Sequence, residues 1–227
     1  MSKYTRFDYI SAKILNLDLH DYTMRIKKLV KSILPTKFGS FNVIAVQSEF
    51  EHFPHLIFYK SGYEKRDIVD VRIHSECMTG EVFGSTKCEC AEQLDYSMKW
   101  IQDHPGVIVY LRQEGRGIGL VDKLKAYNLQ EKGFNTLDAN LELGFHSDLR
   151  DYSLATQILE DLKITKIRLI TNNPDKIKAF DNSKIEVVER IPIEIKPKPG
   201  NLDYLVTKKD FMGHMISLDL NLNNGSK

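Results

Sequence analysis

Three cysteines make up the whole thiol complement of this 227-residue chain, and all fall in one short window, at Cys77, Cys88 and Cys90. An odd number cannot complete a disulfide framework, whereas three thiolates suit a soft divalent ion. The spacing Cys77-x10-Cys88-x-Cys90 predicts a zinc site with three sulfur ligands and a fourth position left for water. Zinc held in this way lowers the pKa of bound water toward about 7 and polarises the atom under attack, which are a hydrolase's tools. The competing reading is a structural staple, for which His74, three residues before Cys77, is the best candidate to close the coordination shell.

Three further clusters carry polar chemistry. Arg112-Gln113-Glu114-Gly115-Arg116-Gly117-Ile118-Gly119 follows a predicted buried strand and precedes a predicted helix. Its glycines let backbone approach a ligand, its arginines offer phosphate forks, and the Glu114 carboxylate suits the N–H edge of a guanine. A tight strand-to-helix turn with surface arginines explains the same residues. Gly144 to Tyr152 packs a histidine, two acids and an arginine before a helix, where Ser147 or Asp148 could equally serve as the cap. Thr171-Asn172-Asn173-Pro174-Asp175-Lys176 stands at the C-terminal end of a predicted strand, where α/β proteins place ligand-binding groups.

The elements that must position these groups alternate in type. Strands are predicted at Phe41–Gln47, His55–Tyr59, Val69–Ile73, Val107–Leu111 and Lys166–Thr171, with shorter extended pieces at Lys184–Arg190 and Ile191–Ile195. Helices are predicted over Gln93–Gln102, with Leu94, Met98 and Ile101 on one face, over Val121–Lys132, stopped by Gly133, and over Tyr152–Leu162. The pattern implies an α/β fold, a layered α/β/α sandwich around a mixed sheet. Residues 1–32 read as an extension of unknown role, an accessory helix or dimer-facing arm; residues 33–217 as the catalytic body; Pro197–Gly200 as a turn-rich loop; and residues 218–227 as a flexible tail.

Composition narrows the partners. Lys plus Arg (32) nearly balances Asp plus Glu (31), so no global field draws the chain to nucleic acid or an anionic membrane, and any anion must be held locally. No apolar run reaches the roughly 20 residues of a membrane span, and the first residues lack the apolar core of a secretory signal, which predicts a cytoplasmic protein.

The stretch Arg72-Ile73-His74-Ser75-Glu76-Cys77-Met78-Thr79-Gly80, then Cys88-x-Cys90, Arg112 to Arg116, Leu143-Gly144-Phe145 and Thr171-Asn172-Asn173-Pro174 closely resembles the GTP cyclohydrolase II family. The likeness runs from about Leu34 to Met215, and Lys208-Lys209-x-x-Met212-Gly213-His214 resembles that family's closing segment. The resemblance implies zinc on Cys77, Cys88 and Cys90. It implies GTP binding by Arg72, Ile73, His74, Ser75, Glu76, Gln93, Glu114, Gly115, Arg116, Thr136, Thr171 and Lys176. Asp148 matches the general base, Arg150 the residue proposed to attack the α-phosphate, and Tyr127 a tyrosine beside the reacting base. A guanidinium with a pKa above about 12 is rarely free to attack, so stabilisation of a pentavalent phosphate is the other role open to Arg150.

The same likeness implies Mg²⁺ with the triphosphate, a homodimer, and formate, pyrophosphate and a diaminopyrimidine ribosylamino phosphate as products, at the entry to riboflavin synthesis. A chain of this length has no room for the fused partner domain of some relatives, which implies the monofunctional form. Lys87, Glu89 and Ala91 depart from the arginine, aspartate and glycine usual in the family. Two alternatives remain beside the full reaction: a variant that stops at the formylamino product, and a non-catalytic zinc-stapled nucleotide-binding protein.

Overall fold

The computed structural model describes residues 26–48, 53–145, 148–198 and 200–217. Seven strands form one sheet: β1 (Ile26–Thr36), β2 (Gly39–Ser48), β3 (His55–Tyr59), β4 (Val69–Ser75), β5 (Gly106–Leu111), β6 (Lys166–Ile170) and β7 (Glu186–Ile191). Their order is β1-β2-β3-β5-β4-β6-β7. The β1, β2, β3 and β5 half is antiparallel, and β5, β4, β6 and β7 run parallel, so the sheet is mixed. Helices are α1 (Met78–Glu81), α2 (Cys90–Asp103), α3 (Leu120–Gln130), α4 (Thr136–Glu142), α5 (Ser153–Asp161), α6 (Pro174–Lys178) and α7 (Leu202–Met212).

The continuous apolar run of β5 fits its central place, because both of its faces are covered. Val107, Val109 and Leu111 join a core with Leu154, Ala155, Ile158 and Leu159 of α5, while Ile108 joins a second core with Met98 and Ile101 of α2. Helices therefore flank both faces, as the α/β/α reading expects. In β4 the period-2 alternation of V-D-V-R-I-H sends Val69, Val71 and Ile73 into the first core and Asp70, Arg72 and His74 to the α1/α2 side. Each of these buried polar residues is met by a partner there. Trp100 Nε1 donates to Asp70 at 2.9 Å, Arg72 donates to Gln93 Oε1 at 2.8 Å, and His74 Nε2 lies 2.8 Å from Glu81. The second polar series of β4 is thus a set of anchors for the helices that carry the cysteines.

Residues 26–32, assigned to an extension before the body, belong to the sheet: β1 begins at Ile26 and pairs with β2 from Ile26↔Ser48 to Thr36↔Gly39. The strand escaped notice because it is an edge strand exposed along most of its length, with lysines at 27, 28 and 31 in place of a clean alternation. β7 is a single strand that stops at Ile191, so Ile193 enters the core from irregular backbone. Helices α1, α4, α6 and α7 were not foreseen. The expected tail at 218–227 lies outside the described residues.

Candidate active site

The parallel strands β4, β5 and β6 end at the same edge of the sheet, and the three motif loops leave from those ends, at Glu76, Arg112 and Thr171. This is the edge at which open α/β sheets bind ligands. Cys77 precedes α1, Cys88 lies in the following loop, and Cys90 opens α2. Their sulfurs all fall within 4.8 Å of one another, with Cys77 Sγ 3.6 Å from Cys88 Sγ. Zinc–sulfur bonds of about 2.3 Å at tetrahedral angles put two sulfurs about 3.8 Å apart, so this donor set fits zinc.

Gly80 forms the floor of the cluster. A Cβ at that position would sit 2.9 Å from Cys88 Sγ and 3.3 Å from Cys77 Sγ. Gly80→Ala is therefore expected to lower zinc content from about one per chain to well under half, measured by metal analysis of the purified protein. Full zinc occupancy in the variant would show that the loop relaxes freely around the methyl.

His74 does not close the shell. Among the described residues the cluster consists of the three cysteines alone, and His74 Nε2 is engaged with Glu81 Oε1. Burial holds the imidazole neutral, at a pKa of about 4. Glu81 is a hub that also accepts from the Cys77 backbone N–H at 2.9 Å and from the Tyr110 hydroxyl at 2.6 Å. Lys123 reaches the metal loop from α3: its Nζ lies 3.1 Å from Cys77 Sγ, 2.8 Å from Thr79 Oγ1 and 2.7 Å from Glu114 Oε1. Glu114 is bound in addition by the N–H groups of Met78 at 2.5 Å and Gly115 at 2.8 Å. In this geometry the carboxylate read as a guanine acceptor ties the glycine loop to α1 while also walling the larger of two adjoining cavities.

That loop turns through left-handed backbone at Gly115 (φ 62) and Arg116 (φ 60). For arginine this costs about 1–2 kcal/mol, and the loop is held by bonds from Leu149 N to Arg116 O and from Gly119 N to Glu114 O, both 3.0 Å. Both terminal nitrogens of Arg116 are buried without a hydrogen-bond partner, and the guanidinium lies 5.5 Å from the Tyr204 ring. A strained backbone that presents unpaired donors marks a place where a ligand completes the site.

Asp148 is not a helix cap. The N–H of Ser153 is met by Asp151 Oδ1 at 2.9 Å, and the Ser147 alternative lies outside the described residues. Asp148 instead grips Arg150, whose Nε lies 2.9 and 3.0 Å from its two oxygens and whose Nη2 completes the fork. Burial opposes both charges, yet Tyr152 and Asp148 hold the arginine above its ordinary value, and Arg150 holds the Asp148 carboxyl below its own.

Two adjoining cavities gather most of the remaining residues. The larger, about 290 Å³, is walled by the three cysteines, Glu76, Tyr127 and Thr136. The smaller, about 60 Å³, is walled by Arg72, Gln93, Thr171, Lys176, Lys208 and His214. Ser75, Cys90, Arg116, Arg150 and Tyr204 belong to both. Cations crowd the smaller cavity. Burial lowers Arg72 to about 10 and holds Lys176 well below the ordinary lysine value, with Arg72, Arg150 and Lys208 adding to the effect on Lys176. Burial, with the charges of Lys208, Arg150, Lys176 and Arg116, puts His214 at about 3.

Ile73 takes part only through its carbonyl, which accepts from Lys176 Nζ at 2.8 Å; its side chain is core. Asp148 is absent from both walls and reaches them through Arg150.

Lys123, Glu81, Tyr204, Lys208 and His214 were missed as site residues. A signal existed for the first, because Lys123, Ala126, Tyr127 and Gln130 form an i, i+3, i+4, i+7 face of α3 along the larger cavity.

Comparison with known proteins agrees with this geometry. The family model for GTP cyclohydrolase II matches residues 27–192. The chain is 49% identical over 205 residues to riboflavin biosynthesis protein RibBA of Chlorobium phaeovibrioides, and 50% identical over 204 residues to that of Cytophaga hutchinsonii. In each case the match covers 88% of this chain and 50% of the relative, so the chain spans about half the length of these curated relatives. Among solved structures, RibBX from A. baumannii, a two-domain 3,4-dihydroxy-2-butanone 4-phosphate synthase, is similar at a TM-score of 0.42 and 19% identity, covering 80% of this chain and 48% of that one, a likeness too slight to argue from. With the family match spanning the sheet, the cysteine cluster and every motif loop, the chain belongs to the GTP cyclohydrolase II family.

Proposed function

We propose that the chain hydrolyses GTP in a zinc- and Mg²⁺-dependent reaction. The imidazole ring is opened, and formate, pyrophosphate and a diaminopyrimidine ribosylamino phosphate are released, as the first step of riboflavin synthesis. The observation that carries this reading is the pair of joined cavities: Arg116, Arg150 and Tyr204 wall both the chamber with the three cysteines and the cation-lined chamber beside it. One nucleotide can then have its purine near the sulfurs and its phosphate chain among the arginines.

Zinc on Cys77, Cys88 and Cys90 would supply a Lewis acid for hydrolysis at C8 of the guanine, a formamidine-like carbon. The protein does the rest. Arg72, Arg116 and Arg150 neutralise charge on the phosphates, and Mg²⁺ accompanies the triphosphate. Water attacks the α-phosphorus as the bond to the pyrophosphate oxygen breaks, and Arg150, held charged by Asp148, stabilises the pentavalent phosphorus rather than attacking it, because a protonated guanidinium has no free lone pair to offer. Asp148 orients Arg150 and takes up the proton that the attacking water loses. Tyr127 and Thr136 border the purine chamber. Residues 26–217 form the working unit. No helix among the described residues is long and apolar enough to cross a membrane, and three free thiols suit a reducing cytoplasm, where the protein works as a homodimer.

The test is incubation of the purified chain with GTP and Mg²⁺, following ring opening by absorbance, formate and pyrophosphate by coupled assay, and zinc by metal analysis of the same sample. Formate and pyrophosphate in equal amounts, with about one zinc per chain, are expected. Pyrophosphate without formate would place the protein with variants that stop short, and tight GTP binding with neither product would make it a binding protein.

A further inference from the structure

Helix α7 (Leu202–Met212) lies beyond residue 192, where the family match ends, yet it closes both cavities. Tyr204 walls the two, Thr207 the larger, and Lys208 and Met212 the smaller, with His214 just past the helix end. A helix that only covered the sheet would bury an apolar stripe. Here the buried positions among the described side chains of α7 are Leu205, Thr207 and Lys208, two of them polar. Burying a lysine is costly unless its charge has partners, so its presence in a cavity wall calls for a reason.

We propose that Lys208 is a further ligand of the substrate's phosphate chain, contributed by α7 and aimed by Glu89. The inference deepens the nucleotide reading above and rests on it. Lys208 is 8% exposed and shares the small cavity with Arg72, Arg116, Arg150 and Lys176. Its Nζ donates to Glu89 Oε1 at 2.6 Å and stands 4.4 Å from the Tyr204 ring centre. An ammonium has three N–H donors, so the bond to Glu89 leaves others for a phosphate oxygen.

Glu89 sits between two of the metal-site cysteines, Cys88 and Cys90, and is 2% exposed. The same oxygen accepts from Gln93 Nε2 at 3.1 Å, and Gln93 Oε1 in turn accepts from Arg72 Nη2 at 2.8 Å. One carboxylate lodged in the cysteine loop thus orients two cations toward the phosphate chamber. Lys208 is here a binding residue and Glu89 a positioning one.

The alternative is a buried structural ion pair, and two probes separate it from a phosphate ligand. The zinc-loaded protein is titrated in a calorimeter with inorganic tripolyphosphate and, separately, with guanosine. Lys208→Gln is expected to weaken tripolyphosphate binding about 10- to 100-fold, the loss of one charge-assisted hydrogen bond, while guanosine affinity stays within about twofold. Lys208→Arg should recover most of the affinity, with zinc content and Tm close to those of the unaltered protein. If Lys208→Gln does not fold, Lys208→Met, which keeps the methylene stem beside Tyr204, carries the same comparison.

Unchanged tripolyphosphate affinity in the neutral variants overturns the proposal, as do equal losses for both probes, which would mark a structural role. Failure of the unaltered protein to bind tripolyphosphate defeats the proposal together with the nucleotide reading. Binding of both probes without formate release from GTP defeats the proposed reaction, and the comparison of variants still decides the role of Lys208.

Discussion

Cys88→Ser is expected to abolish formate release from GTP, with a loss of at least about a thousandfold, while leaving GTP affinity within a few-fold. Serine fills nearly the same space but replaces a soft thiolate by a hydroxyl that does not ionise at neutral pH, so one of only three sulfur donors disappears. Cys88 is buried, its sulfur 3.6 Å from that of Cys77, and among the described residues no other side chain joins the cluster to take its place. The cations proposed to hold the phosphate chain stand in the adjoining chamber, and none bonds to Cys88 itself: Arg72 is held by the Ile170 carbonyl at 3.0 Å, Lys176 by that of Ile73 at 2.8 Å, and Lys208 by Glu89, whose carboxylate also meets Gln93. Ground-state binding should therefore outlast the loss of the metal, and the defect should fall on kcat. Zinc analysis, formate assay and GTP titration on one preparation check all three parts. A zinc-free variant that still releases formate at the normal rate would remove the metal from the reaction.

Much of this site was readable because its chemistry is local in sequence. Three cysteines in one window have few other uses, and the V-D-V-R-I-H alternation of β4 marks a strand with one apolar and one polar face; that the polar face meets helix anchors rather than solvent is shown by the structure. The parallel order of β4, β5 and β6 then brings three distant loops to one edge.

What stayed hidden depends on tertiary partners. Glu114 has the right type and place for a base contact, but whether its oxygens face a purine or the backbone of Met78 and Gly115 is decided by how the glycine loop meets α1. Helix α7 shows no apolar stripe because it walls a polar cavity, so its period could not be recognised before the cavity was known. His74 shows the opposite failure: three residues before Cys77 is a plausible ligand spacing, yet the strand points its ring to Glu81. β1 was overlooked for the reason common to edge strands, that almost all of its residues are exposed and only Ile26 at its start packs against a core.

Arg150→Ala should separate transition-state stabilisation from binding in the same way from the phosphate side. The guanidinium belongs to both chambers and is clamped by both oxygens of Asp148, so its direction is fixed before substrate arrives. A fixed cation placed where charge develops is worth about two to three orders of magnitude in kcat. Arg72, Arg116, Lys176 and Lys208, among other polar groups of the small chamber, remain to hold the ground state, so KM should rise much less.

The variant also carries a pH signature. Arg150 holds the Asp148 carboxyl below its ordinary value against the effect of burial. With the guanidinium gone, burial is opposed only by the backbone N–H of residue 150 and the charge of Arg116, so the carboxyl moves upward from its present depressed value. If ionised Asp148 is needed, the acid limb of the kcat profile must shift to higher pH in Arg150→Ala and return toward its original place in Arg150→Lys. Equal losses in kcat and affinity would make the arginine a ground-state ligand. An unmoved acid limb would mean that Asp148 serves only to hold Arg150, and that the proton is carried elsewhere.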